Sequence, residues 1–183
     1  MALELGPCEV KFGTAGAEVS LGKTQGGVTV RIVDDSVDLK SDQYGTSAED
    51  TIITGTNVEV ECNFAELSFA LIAQILNQST YGSASTGGLL GENNVGTSLK
   101  TAGQSLVLTK YVNGAVSSSA VDRIVFPLAA PLGNLELAYD ADNQRVIPAK
   151  FKCFPKAVTA KWGTSGDLVK TVTYYFGNEA ATS

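Results

Sequence analysis

The chain has 183 residues, 44% hydrophobic and 17% charged, with 19 glycines, 5 prolines and a formal net charge of −6. That length suits one domain with a sizeable core, and an acidic chain with scattered lysines and arginines argues against a surface built to hold nucleic-acid phosphates. The absence of histidine and the wide separation of three cysteines, Cys8, Cys62 and Cys153, exclude the usual nitrogen-and-sulfur metal site and leave free thiols as the expectation.

At the N-terminus, "MALELGPCEV" has neither a basic region nor an apolar run, so no signal peptide is expected. The sequon at Asn77-Gln78-Ser79 is accordingly expected to go unused. Residues 17 to 24, "AEVSLGKT", fit the loose form of a phosphate-binding loop. Such a loop must open a helix whose N-terminal N–H groups hold the phosphates. Here it is followed by Gly26-Gly27 and the alternating "VTVRIV", so a strand turning into another strand is expected instead, with no bound nucleotide.

Period-two alternation then dominates. "VTVRIV" sets Val28, Val30 and Ile32 against Thr29 and Arg31, and "VEVEC" sets Val58, Val60 and Cys62 against Glu59 and Glu61. "SLVLTKYV", "DRIVFPL", "LELAY", "AKFKCF" and "VKTVTYYF" follow, giving six to eight predicted strands joined by short turns. The fold class this implies is mainly β, an antiparallel sandwich or barrel in a single domain covering 1–183. Between the strands, 34–51 is acidic and polar and 81–105 is rich in Gly, Ser and Thr, so both read as long loops.

One segment departs from the alternation. "NFAELSFALIAQILNQ" predicts a flanking helix at about 63–78, with Asn63 and Glu66 in the positions of a capping box. On a helical wheel Glu66, Gln74, Asn77 and Gln78 share a narrow polar arc, while Phe64, Leu67, Phe69, Leu71, Ile72, Ile75 and Leu76 spread around the rest. An apolar surface that wide predicts burial on two sides.

Chemistry-bearing motifs are thin. "DADNQ" at 140 to 144 opens like a calcium loop, but Arg145 stands where glycine is needed and no glutamate closes it, so a turn is expected. No GxSxG occurs, a serine or cysteine nucleophile has no histidine to activate it, and Asp34, Asp35, Asp38 and Asp42 lie too close together for a separated acid–base pair. No catalytic residue, cofactor or metal is expected, and no apolar run reaches membrane-spanning length.

The order of "GPCEVKFG", "LGKTQGGVTVRIV", an acidic segment with "DQYGT", "VEVECNFAELSFALIAQIL" and "VIPAKFKCFPKA…GDLVKTVTYYF" resembles the tail tube (major tail) proteins of long-tailed bacteriophages over nearly the whole chain. The loop match is carried by Asp42, Gln43 and Gly45, and the helix match runs from Phe64 to Leu76; the 81–105 segment lies outside the shared pattern. The resemblance implies a β-sandwich with one helix, assembled as hexameric rings stacked into a hollow virion tail tube in the bacterial host cytoplasm. The tape-measure protein and then ejected DNA would occupy its lumen, with sheath or tail-terminator proteins as further partners. It further implies an inter-ring loop containing Asp38, Asp42, Gln43, Tyr44 and Gly45, and a subunit-interface helix using Phe64, Leu67, Phe69, Leu71 and Ile75. An inner-tube protein of a contractile injection or type VI-like system shares that plan. A soluble, monomeric ligand-binding β-barrel is the rival from a different class.

Overall fold

A computed structural model describes residues 7–40, 42, 46–66, 68–76, 79–82, 89–91, 95–133, 146–160 and 168–177. Strands come first: β1 (Cys8–Gly13), β2 (Val19–Ser20), and the two 17-residue strands β3 (Thr24–Lys40) and β4 (Ala48–Phe64). A short helix α1 (Phe69–Ile75) follows, then β5 (Ser79–Tyr81) and β6 (Leu89–Gly91). The remainder is β7 (Gln104–Val112), β8 (Ala115–Val116), β9 (Arg123–Pro131), β10 (Ile147–Cys153), β11 (Lys156–Ala160), β12 (Leu168–Val172) and β13 (Tyr175–Phe176). The fold is mainly antiparallel β, as the alternation predicts.

The main sheet runs β2-β1-β7-β9-β10-β4-β3, with β8 beside β7 and β13 beside the first part of β9. Its inner face is built by the predicted alternation. Ile147, Ala149, Phe151 and Cys153 of β10 are all buried, and Val58, Val60, Cys62 and Phe64 of β4 lie beside them in register. Val10 and Phe12 of β1, Leu106 and Leu108 of β7, and Phe126 and Ala129 of β9 complete one core. The sheet curls strongly: β1 and β10 are three places apart in the strand order, yet the Phe12 and Phe151 rings stand 5.2 Å apart, tilted by 49°. Burial of such aromatic pairs dominates a core of this size.

Strand β9 changes neighbours along its length, pairing with β13 at Ile124 and Val125 and with β10 from Ala129 to Pro131. Pro127 sits in the gap between the two pairings, where its missing N–H leaves no ladder bond unmade. The β7–β8 connection is a two-residue turn, Asn113-Gly114, with φ of 50° and 80°. Positive φ at both positions is what a hairpin turn matching strand twist requires.

Three expectations are corrected. The helix spans Phe69–Ile75 rather than 63–78; Ser68 caps it, its Oγ accepting from Leu71 N at 3.1 Å. Asn63 and Phe64 belong instead to β4, because Phe64 pairs with both Ile147 and Thr24, and long-range ladder bonds override the local capping pattern. The segment 34–51 is the outer half of the β3–β4 hairpin, and only 41–47 connects the two strands. The segment 81–105 is interrupted by the β5–β6 pairing and gives Gln104 and Ser105 to β7. The predicted turn at 140–144 lies outside the described residues.

Candidate assembly surface

Strand β10 pairs with β4 only from Val58 to Phe64. Beyond Val58, β3 and β4 have no strand partner among the described residues except each other, from the Val33–Asn57 pair outward to Lys40–Ala48. Eight residues of β3 at about 3.3 Å each make this ribbon roughly 25 Å long.

The ribbon reverses its polarity as it leaves the body. Along β3 the even positions Val28 and Val30 pack against the core and Ile32, 37% exposed, continues their face, opposite Cys62, Val60 and Val58. From residue 33 onward the even face becomes polar: the Thr56 hydroxyl donates to Asp34 Oδ1 at 2.7 Å and the Thr51 hydroxyl to Asp38 Oδ1 at 2.9 Å. The odd face does the opposite. Near the body it carries Thr29, Arg31, Glu59 and Glu61, with Lys150 Nζ 2.9 Å from both glutamates. Further out it carries Val33, Val37 and Leu39, with Ile52 directly across from Val37, and these four are 43–53% exposed. Asp35 interrupts that stripe, its Oδ2 accepting from Asn57 Nδ2 at 2.6 Å. A bulge between Asp35 and Ser36, where β4 carries one residue more than β3, keeps β3 in phase and turns Ile53 onto the even face, 65% exposed.

A soluble hairpin has no internal use for an apolar face turned away from its own core. An exposed apolar cluster such as Val37, Leu39 and Ile52 marks an interaction surface. The outer edge of β3 reinforces the point. It ends the sheet and has no strand partner among the described residues, so its N–H and C=O groups are open to another chain.

The predicted site residues are distributed unevenly over this surface. Asp38 lies on the ribbon's polar face and Asp42 is exposed at its tip, while Gln43, Tyr44 and Gly45 lie outside the described residues. Of the proposed interface helix, Phe64 is fully buried on β4, and Leu71 and Ile75 are buried in the chain's own core at 6% and 1% exposure. Those three serve the core and are withdrawn as contacts to a partner. Leu67 and the Phe69 side chain lie outside the described residues. Sequence reading missed the apolar stripe, although Val33, Val37 and Leu39 share one parity; the Asp34-Asp35 pair, where the two faces exchange polarity, hides the alternation.

The apparent phosphate loop connects β2 to β3: Lys23 Nζ is 3.7 Å from Glu66 Oε1, and the strand begins at Thr24. Among the described residues no group of three or more His, Cys, Asp or Glu is placed to hold a metal, and no helix is long and apolar enough to cross a membrane. The thiols are Cys62 and Cys153, buried, and Cys8, partly buried. Burial pushes Cys62 and Cys153 up to about 12. Comparison of the chain with protein-family models and with curated proteins finds no match.

Proposed function

We propose that this chain is a self-assembling structural subunit that stacks as hexameric rings into the tail tube of a long-tailed bacteriophage, the conduit through which DNA is ejected. The observation that carries this reading is the projecting β3–β4 ribbon, whose apolar face is turned away from the chain's own core. A monomeric binding protein gains nothing from such a ribbon, whereas a polymer covers it at every repeat. The unpaired outer edge of β3 supports the same reading, because pairing strands between subunits removes edges that would otherwise invite aggregation. The order of sequence features shared with tail tube proteins supplies the ring geometry and the lumenal partners, the tape-measure protein and DNA.

Negative-stain electron microscopy of the purified protein over a range of concentrations tests the proposal. Six-fold rings and hollow tubes are the expected result. A monodisperse particle of one 19.0 kDa chain at every concentration would overturn it.

A further inference from the structure

A second hairpin leaves the body near the ribbon's root. Strand β10 ends at Cys153 beside Val58, where the ribbon departs, and β11 and β12 follow directly, pairing Lys156 with Val172 and Val158 with Lys170. By that register Lys156, Val158, Lys170 and Val172 share one face, with both lysines exposed and both valines half-buried. The hairpin is basic: residues 156 to 172 hold three lysines against the single Asp167.

The ribbon is its electrostatic counterpart. Residues 33 to 57 carry Asp34, Asp35, Asp38, Asp42, Glu49 and Asp50 against the single Lys40. On its apolar face, Asp35 and Asp50 flank Val37, Leu39 and Ile52, since Asp50 stands opposite Leu39. Each hairpin thus presents two like charges around a small apolar centre, and the two signs are opposite. Within one chain, no extensive packing joins the described residues of the two hairpins.

We infer that the acidic, apolar face of the β3–β4 ribbon docks on the basic face of the β11–β12 hairpin in a second copy of this chain. The inference rests on the self-assembly proposed above and names the surface that receives the ribbon. Opposite charges at the rim of the contact fix its register and exclude ribbon-to-ribbon pairing, where carboxylate would face carboxylate. The apolar centres then lose water together.

Charge exchange tests the contact. Asp35→Lys with Asp50→Lys in one variant, and Lys156→Glu with Lys170→Glu in another, each set like charges against each other. Either variant is expected to raise the protein concentration at which assemblies appear by at least about tenfold, while its thermal unfolding as a monomer stays near that of the parent. The four changes combined restore opposite signs and are expected to recover assembly. A photo-crosslinking residue at position 37 of the otherwise unchanged chain gives an independent readout, with crosslinks expected to peptides from 156 to 172 of another copy. If the parent assembles but the reversals do not weaken it, or the combined variant does not recover, or the crosslinks fall elsewhere, this contact is wrong and self-assembly stands. If the parent never assembles, both fall.

Discussion

Phe151 shows how a single side chain ties the sheet to its own curvature. It is fully buried, it stacks near Phe12 from across the curled sheet, and it pairs with Val60 on one side and Pro131 on the other. Phe151→Ala is expected to lower unfolding free energy by about 3–5 kcal/mol, read from denaturant midpoints. The titratable groups bound the pH range of stability from both sides. Cys62 and Cys153 ordinarily ionise near 9.0 and are pushed up to about 12 by burial, so the unfolded chain loses those protons first. Their contribution is fully present below pH 9 and is lost as pH rises between 9 and about 12. At the acid end, the hydrogen bond from Lys110, then that from Ser117, holds the Asp122 carboxyl below the usual range, and Lys150 does the same for Glu59. That contribution is present above the ordinary carboxylate range and fades as pH falls through the lowered values. Melting temperature of the monomer against pH is therefore expected to show a plateau that declines on both sides, with the alkaline limb starting near pH 9. Shortening both buried thiols to alanine should flatten that limb.

At the level of elements, the ribbon and the helix carry apolar residues for opposite purposes, and one substitution type separates them. Val37→Asp and Ile52→Asp place a charge on a surface that is half-exposed in the free chain, so monomer stability should move by no more than about 0.5 kcal/mol. In an assembly the same charge would be buried unpaired at a cost of several kcal/mol, so polymerisation should be lost in sedimentation. Leu71→Asp, by contrast, puts the charge into the core and should abolish cooperative melting. A ribbon variant that assembles normally would remove the ribbon from the contact. The sequence made most of the body legible, because Val58, Val60, Cys62, Ile147, Ala149, Phe151 and Cys153 alternate with charged or polar neighbours in a regular period of two. It misled at the end of β4 and midway along β3 for definite reasons. Near residue 63 a local capping pattern competed with ladder bonds to Ile147 and Thr24, which no local window contains. Near residue 34 the alternation continued but changed sign, so a pattern search tuned to one buried face saw only a polar loop. The same blindness hid the candidate assembly surface, whose apolar residues look scattered until the register sets Ile52 across from Val37.

For the whole molecule, the decisive quantity is the strength of one ribbon contact. Val33, Val37, Leu39 and Ile52 are already half-buried, so covering what remains yields about 1 kcal/mol for each. A few kcal/mol does not offset the 4–15 kcal/mol or so of lost translational and rotational freedom when two free chains join. In the proposed assembly, repeated in a closed ring and between rings, the same contact would form many times for each freedom lost. Weak, multiplied contacts of this kind would give the proposed assembly a sharp concentration threshold.

Strand β4 is continuous from Ala48 to Phe64, yet its two halves live under different thermodynamics. Its inner half lies between β3 and β10, with four fully or nearly fully buried side chains, so its amide hydrogens can exchange with solvent only when the domain opens as a whole. Its outer half belongs to a two-stranded ribbon with no third strand beside it among the described residues, an arrangement that is marginal in water. A single strand therefore joins a slow clock to a fast one at Asn57. In the free subunit the outer half opens and recloses without disturbing the core. If the chain assembles as proposed, the entropy of holding it straight is lost only when a neighbour arrives, so growth of the polymer and rigidity of the ribbon would become one event.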